Sequence, residues 1–256
     1  MSRFIIVGAG GIGTWLANGL APLLEYSVPN STLIIVDGDH FEEKNKERQL
    51  FDGMGNKAEV LAEELNRKFN QTFIIPLAAW VVSPEVAESY KPEEEEEEDV
   101  GVGRVSASDL IEEGDVVYAV VDNYKARKEL LDAASKMENC DVFLGGNDEK
   151  FYGGTYHYIR RNGEDVTQHP AVRHEEFVNP PDRNPGELSC QERAEIDGGT
   201  QLICTNMAVA AWLLGRTKYI IIDENTDDKC EIQFDLGMGM AIGDNRVPRK
   251  ELVTTK

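Results

Sequence analysis

The chain carries a glycine-rich segment and charged residues whose spacing suits the binding of a nucleotide. Gly8, Gly10 and Gly13 fit the pattern G-x-G-x-x-G directly after an apolar run at residues 4–7. Without side chains at these positions, the backbone can turn tightly and its amides can approach a phosphate. Asp37 follows a second apolar run and is placed to accept hydrogen bonds from a ribose. These features predict a nucleotide site without identifying the nucleotide.

Three further groups of residues distinguish a triphosphate from a dinucleotide. They are Asn45-x-x-Arg48-Gln49, Gly55-Asn56-Lys57 and Asp122-Asn123. An arginine and a lysine can hold phosphate oxygens and offset developing charge, while an acid can coordinate a hard divalent ion. A dinucleotide dehydrogenase has little need for this combination, so the three groups favour ATP with Mg²⁺.

Short apolar segments alternate with amphipathic segments along the first 150 residues, which positions these groups. Strands are predicted at residues 4–7, 33–36, 73–77, 115–121 and 141–144, and helices at 14–20, 57–70, 107–111 and 124–138. Residues 22–31 are interpreted as a connection, Pro76 places the third strand near an edge, and Gly145-Gly146 end the fifth strand. This alternation predicts a Rossmann-like α/β fold with a mostly parallel sheet and helices on both faces.

The segment after residue 150 is expected to be rich in loops. Alternating residues at 154–161 predict an antiparallel addition to the sheet, whereas residues 162–200 carry many Pro, Asn, Asp and Gly. A helix is predicted at 205–215 with Cys204 in the core, followed by C-terminal strands at 219–223 and 229–236. We therefore expect a single domain over residues 1–256, with a nucleotide-binding core at 1–150 and a loop-rich segment at 151–256.

Composition and charge restrict the classes of partner. The 256 residues are 41% hydrophobic, which supports a globular core, and carry a formal net charge of −21. This charge argues against non-specific binding of nucleic acid. An acidic run from Glu93 to Glu98, followed by Asp99, predicts a solvated flexible loop at about residues 91–104, with an interaction tether as the alternative.

The cellular compartment is predicted from cysteine usage and from the apolar segments. No apolar run approaches the ~20 residues of a membrane span, and the first strand begins too early for a signal peptide. Cys140, Cys190, Cys204 and Cys230 are widely spaced and form no C-x-x-C pair. We therefore expect a cytoplasmic protein with free thiols, without a disulfide framework, a zinc ribbon or a membrane partner.

Taken together, the motifs resemble the ThiF/MoeB/HesA group of ubiquitin-activating-enzyme-like adenylyltransferases. The resemblance covers about the first 150 residues and rests on Gly8-x-Gly10-Gly11-x-Gly13, Asp37-x-Asp39, Asn45-x-x-Arg48-Gln49, Lys57 and Asp122-Asn123. It implies a homodimer that uses ATP and Mg²⁺ to adenylate a C-terminal carboxylate, with release of pyrophosphate. The implied substrate is a ubiquitin-like or sulfur-carrier protein, or a peptide.

The resemblance also implies a role for individual residues. Asp37 and Asp39 would hold the ribose, Asn45 and Arg48 the phosphates, Lys57 phosphate or ribose oxygens, and Asp122 the Mg²⁺. Gly11, Gln49 and Asn123 belong to the same cofactor-binding motifs. Arg48, Lys57 and Asp122 are the expected catalytic residues, since positioning and charge neutralisation are the main tasks of the protein in this reaction.

The sequence departs from this family pattern at three points. Without C-x-x-C pairs, no structural zinc is expected. Some family members use an arginine from an N-terminal arm of the neighbouring subunit, whereas this sequence begins at its first strand and Arg3 is a poor replacement. We therefore expect that another basic residue serves or that catalysis is weaker. Cys190 is the candidate acyl or sulfur acceptor, although an incidental thiol is the plainer interpretation. His169 and His174 lie in the same segment as Cys190 without metal-ligand spacing.

Other functions stay open on the sequence. An NAD-dependent oxidoreductase would use the glycine motif and Asp37 but would leave Arg48, Lys57 and Asp122 unexplained. A non-catalytic relative could bind a β-grasp partner without activating it. Activation of a carboxylate on modified tRNA is disfavoured by the acidic charge.

Overall fold

The computed structural model describes residues 2–43, 45, 49, 51–91, 101–147, 151–181, 203–225 and 229–245. The strands in chain order are β1 (Arg3–Val7), β2 (Thr32–Val36), β3 (Phe73–Leu77), β4 (Ala79–Val82), β5 (Gly103–Ser106), β6 (Val116–Ala119), β7 (Cys140–Asn147), β8 (Tyr152–Arg161), β9 (Glu164–Asp165), β10 (Lys229–Asp235) and β11 (Met240–Asn245). The helices are α1 (Gly11–Ser27), α2 (Lys57–Asn66), α3 (Pro84–Ser89), α4 (Ala107–Leu110), α5 (Tyr124–Ala134) and α6 (Ile203–Arg216). Two 3₁₀ turns, Pro170–Val172 and Glu175–Phe177, and a π-helical segment, Thr217–Ile222, complete the described elements.

A nine-stranded sheet runs through the described part of the chain in the order β11-β10-β8-β7-β6-β1-β2-β3, with β9 paired to β8. The strands from β7 to β3 are parallel, whereas β8, β10 and β11 are antiparallel additions. Ile5 of β1 pairs with Ile34 of β2 on one side and Val117 of β6 on the other. The carboxyl ends of β1, β2 and β6 therefore meet where the strand order reverses, which is where such sheets bind ligands.

Each face of the sheet is covered by its own hydrophobic core. On one face, α1, α2 and α6 pack against side chains such as Phe4, Ile6 and Phe143, while Ile5, Val7 and Val142 face α4 and α5. Leu16 and Leu20 of α1 are fully buried at helical spacing. This two-sided burial holds the parallel strands in register, because each strand presents apolar side chains to both layers.

The predicted architecture is confirmed: the fold is α/β with a mostly parallel sheet, helices on both faces and antiparallel C-terminal strands. The predicted edge position of the strand that contains Pro76 is also confirmed, since β3 ends the sheet. Among the strands that were not predicted are β4 and β5, which pair in parallel across an intervening segment, and the edge strand β11, which forms a hairpin with β10.

Three predictions about local structure are wrong. Residues 219–223 form no strand, because the π-helical segment continues α6 and buries Ile220 in the same core as Leu213. Residues 22–31 are mostly helix, since burial of Leu24 keeps α1 intact past Pro22. β7 does not stop at Gly145-Gly146, because β8 pairs with it as far as Asn147.

The prediction that Cys204 lies in the core is also wrong. Cys204 is exposed in the first turn of α6, whose buried face carries Thr205, Val209 and Leu213 instead. The acidic run from Glu93 to Glu98 lies outside the described residues. Within the described ranges, none of the helices is long and apolar enough to cross a membrane.

Candidate functional site

The glycine motif forms the turn between β1 and α1, and steric contacts explain two of its glycines. Gly8 has a φ of +102°, and a Cβ there would lie 2.9 Å from the Val121 side chain. A Cβ on Gly13 would lie 1.8 Å from the Gly8 carbonyl oxygen. Gly10 differs, because a Cβ there would meet nothing within 4 Å. The first turn of α1 has no side-chain cap, so its amides can bind an anion.

Asp37 follows the last residue of β2 and is hydrogen-bonded to the turn between β1 and α1. Its Oδ2 accepts a hydrogen bond from the Ala9 amide at 2.6 Å, and its Oδ1 accepts one from the Asp39 amide at 2.8 Å. Burial raises the pKa of the Asp37 carboxyl, while Lys57 and the two amides oppose this rise. Both oxygens are thus fixed by the backbone and keep lone pairs for a further donor, such as a ribose hydroxyl.

Lys57 reaches the same place from the start of α2. Its Nζ forms an ion pair with Asp39 Oδ2, and its amide donates to the Asp39 carbonyl at 2.8 Å. Asn56 Oδ1 caps α2, while its Nδ2 donates to the carbonyl oxygens of Asp37 and Asp39. The Lys57 side chain is only 9% exposed, whereas that of Asp39 is 51% exposed, so the ammonium group is held in place while its partner faces solvent.

Asp122 and Asn123 follow β6 and play different structural parts. Asn123 Oδ1 caps α5 by accepting a hydrogen bond from the Ala126 amide at 3.0 Å. Asp122 is exposed and lines the cavity at the strand ends. The cap orients the turn, and the carboxylate of Asp122 is available to a ligand.

The motif around Asn45 is only partly described. Asn45 is buried, its Oδ1 accepts a hydrogen bond from the Glu42 amide at 2.8 Å, which closes a local turn, and it does not line the cavity. Gln49 is 7% exposed and lines the cavity, and its Oε1 has no hydrogen-bond partner among the described residues. Arg48 and Cys190 lie outside the described residues.

A cavity of about 990 Å³ unites most of the predicted site residues. Nine of them line it: Gly8, Gly10, Gly11, Asp37, Asp39, Gln49, Lys57, Asp122 and Asn123. Gly13 stands behind the turn and shapes it. Among the described cofactor-binding candidates, Asn45 is therefore the one that neither lines the cavity nor shapes the turn beside it.

The cavity continues past Asp122 over β7, β8 and β10, and sequence analysis did not assign the residues there. At its far end, His174 Nε2 lies 3.3 Å from Oε1 of the buried Glu231, which also accepts a hydrogen bond from Gln233 at 2.7 Å. His169 instead accepts a hydrogen bond from the Ala171 amide at its Nδ1, so it stabilises a 3₁₀ turn. The antiparallel addition of β8 to β7, and of β10 to β8, forms this part of the cavity; these strands were predicted, but no local motif marks a site on them.

Two more residues of the cavity were missed. The Trp80 ring covers Gly38, where a Cβ would lie 2.4 Å from the indole. Arg127 lies one helical turn after Asn123, the capping residue of α5. This spacing could have indicated that Arg127 lies on the same side of the helix as the strand ends, where the cavity is.

The donors around the cavity fit a magnesium nucleotide. The uncapped amides and Lys57 suit phosphate oxygens, and the unpartnered Gln49 oxygen suits a hydroxyl or amino donor. In the described part of the chain, no group of three or more His, Cys, Asp or Glu could hold a metal ion. Mg²⁺ is usually held by one or two carboxylates together with phosphate oxygens, and Asp122 offers one carboxylate to this cavity.

Comparison with known proteins identifies the family. The model of the ThiF family matches residues 1–214. This chain belongs to the ThiF family. No curated protein sequence matches it significantly.

Solved structures show the same fold at low sequence identity. PaaA is 16% identical with a TM-score of 0.64, covering 96% of this chain and 73% of its own. E. coli MccB with MccA-N7isoASN is 15% identical with a TM-score of 0.63, covering 96% of this chain. E. coli MccB with ATP is 16% identical with a TM-score of 0.60. The ThiF-family chain described here spans 64% of the length of MccB.

Proposed function

We propose that this ThiF-family protein is an ATP- and Mg²⁺-dependent adenylyltransferase that activates a C-terminal carboxylate. The observation that carries the proposal is the convergence of the glycine turn, Asp37, Lys57 and Asp122 on one cavity. A dinucleotide oxidoreductase would need the glycine turn and Asp37 only. The structural likeness to MccB, which has been solved with ATP and with its peptide MccA, supports the same nucleotide and a polypeptide substrate.

Each residue of the proposed site has its own role in binding the magnesium nucleotide. The amides of the turn and Lys57 bind phosphate oxygens, and Asp37 accepts hydrogen bonds from the ribose. Asp122 holds the Mg²⁺, which when bound offsets negative charge on the phosphates. A carboxylate oxygen forms a bond to the α-phosphorus, and pyrophosphate leaves with the electrons of the broken bond. The protein contributes alignment and charge neutralisation.

Further parts of the proposal come from the resemblance. Arg48 and Asn45 belong to the motif that holds phosphates in the family, and Cys190 is the candidate for accepting the acyl group or sulfur. The substrate is a ubiquitin-like or sulfur-carrier protein or a peptide, the protein acts as a homodimer, and residues 1–256 form one adenylation domain. The cytoplasm is the proposed compartment.

Exchange of labelled pyrophosphate into ATP tests the reaction. Candidate carrier proteins and peptides ending in Gly-Gly are added to the wild type and to Asp122→Ala. We expect exchange that requires a carrier and falls at least about a hundredfold in Asp122→Ala, because the metal ligand is lost. Asp132→Ala is the control, since Asp132 lies on α5, the helix that follows Asp122, and pairs with Lys128.

Three outcomes would contradict the proposal. Hydride transfer to or from NAD without exchange would indicate an oxidoreductase. ATP binding without exchange, combined with binding of a β-grasp partner, would indicate a non-catalytic relative. Exchange that is equally fast in Asp122→Ala and the wild type would remove Asp122 from the metal site.

A further inference from the structure

Arg127 is fixed in the middle of the cavity by two backbone carbonyl groups. Its Nε donates to the Val121 carbonyl at 2.7 Å, and its Nη2 donates to the Gly145 carbonyl at 2.8 Å. The guanidinium lies over the ring of Tyr124, 5.4 Å from its centroid. These contacts connect the end of β6 to β7 and hold the third guanidinium nitrogen, Nη1, in a defined position.

No carboxylate of the described residues forms an ion pair with Arg127. Both of its hydrogen bonds go to neutral carbonyl groups, and Tyr124, Asp122 and Glu176 interact with its charge without a hydrogen bond. Burial lowers the pKa of the guanidinium below its usual value. Arg127 is partly buried, and a cation that is partly removed from water without an ion-pair partner costs free energy, which a bound anion would offset.

The surroundings of Arg127 differ on its two sides. Toward β1, Asp122 and the glycine turn line the cavity, and that half already has amides and Lys57 for phosphates. Toward β8, the floor consists of Gly146 and Gly154, which pair with each other across β7 and β8. A Cβ on Gly146 would lie 3.4 Å from Nη2 and 3.5 Å from Nη1 of Arg127, so the guanidinium lies directly above this backbone without side chains.

We propose that Arg127 binds an oxyanion at the junction of the two halves of the cavity, namely the carboxylate that is to be activated. This inference rests on the proposed adenylation. The glycine pair leaves room for an extended chain to lie on the strands, and Nη1 is the donor that its terminal carboxylate would meet. Arginine suits this task because its planar fork can hold two protein carbonyls and still present a donor to the ligand.

The binding of the carboxylate can be separated from the binding of ATP by a substitution that keeps Arg127 itself. In Gly146→Val, the larger side chain fills the space beside the guanidinium that a ligand would occupy, and Gly146 has no positive φ that would strain it. Gly215→Val is the matched control, because a Cβ on Gly215 meets nothing within 4 Å. Arg127→Gln, checked for folding by circular dichroism, removes the charge itself.

The first readout is pyrophosphate exchange with a peptide ending in Gly-Gly. We expect the KM for the peptide to rise at least about tenfold in Gly146→Val and Arg127→Gln, while the Kd for ATP changes less than about twofold. A rise in the Kd for ATP with an unchanged KM for the peptide would assign the oxyanion to a phosphate and overturn the proposal. Unchanged values for both would also overturn it.

The second readout needs no catalysis and separates this inference from the proposed function. Thermal stability is measured without nucleotide in the presence of N-acetyl-glycyl-glycine and of its C-terminal amide. We expect the free acid to raise the Tm of the wild type and of Gly215→Val, but not of Gly146→Val, and the amide to raise none of them. Equal effects of acid and amide, or no effect of either on the wild type, would overturn the proposal even if exchange occurs. An effect of the acid alone would support it even if no exchange were found.

Discussion

At the scale of single residues, the ion pair between Lys57 and Asp39 sets the charge of the proposed nucleotide site before a ligand binds. Lys57 is almost buried and pairs with Asp39, which is largely exposed. The hydrogen bonds of Asn56 to the tip of β2 hold the start of α2 beside Asp37. The ammonium group is therefore placed by the backbone, and a phosphate can compete with the solvent-facing Asp39 for it.

Lys57→Gln tests this role. We expect the Kd for ATP to rise about 10- to 100-fold, because a charge-assisted contact contributes roughly 1.5–3 kcal/mol. The measurement is isothermal titration calorimetry with Mg²⁺ present. Lys128→Gln is the control, since Lys128 pairs with Asp132 on the exposed face of α5. Equal affinities of Lys57→Gln and the control would exclude Lys57 from the phosphate site.

At the scale of elements, the turn between β1 and α1 contains glycines of two kinds. Some are required for the turn to fold, and one would be required for a ligand to approach the backbone. Gly13 faces the Gly8 carbonyl across the turn, whereas Gly10 opens into the cavity. The uncapped start of α1 is stable in this form because Leu16, Leu20 and the rest of its apolar face are buried. Tertiary packing therefore compensates for the missing cap.

Two alanine substitutions distinguish these roles. Gly13→Ala is expected to lower the free energy of unfolding by about 3 kcal/mol or to prevent folding, because a rigid backbone oxygen occupies the space of the new methyl group. Gly10→Ala is expected to change it by less than about 0.5 kcal/mol while lowering ATP affinity about tenfold. Urea unfolding and calorimetry measure the two quantities. Similar unfolding energies for both variants would contradict this distinction.

At the scale of the whole molecule, one buried acid links the starts of two central strands and makes stability depend on pH. Asp115 precedes β6 and is 2% exposed, and its Oδ1 lies 3.4 Å from Nε of Arg3 in β1. Burial raises the pKa of Asp115 to about 6, although Arg3 opposes the rise. The folded protein therefore holds this proton more tightly than the unfolded chain, so the stabilisation is present at low pH and is lost as pH rises through about 6.

The variant Asp115→Asn removes this titration. Relative to Asp115→Asn, the wild type is expected to lose roughly 2 kcal/mol of unfolding free energy between about pH 4.5 and about pH 7. Urea unfolding across this range measures the difference between the two proteins. Asp132→Asn, at a half-exposed position, serves as the control and should run parallel to the wild type. A constant difference between Asp115→Asn and the wild type would contradict the raised pKa.

The sequence by itself determined the parts of this protein that depend on local pattern. The glycine spacing after an apolar run, the acids at strand tips and the alternation of strands with helices predicted the parallel sheet and the cluster at its carboxyl edge. These signals are readable because strand ends in a parallel sheet meet at one edge, and the residues that follow them are therefore brought together.

The tertiary structure alone decided the features that depend on distant pairing and packing. β4 and β5 pair across an intervening segment, Pro22 is kept inside α1 by burial around it, and Cys204 is turned outward by the face of α6 that the core selects. The half of the cavity around Arg127 likewise exists because β8 pairs antiparallel with β7, and β10, from much later in the chain, pairs antiparallel with β8. All of these features have the same physical reason. Contacts between segments far apart in the chain outweigh local preference, and no short stretch of sequence contains both partners of such a contact.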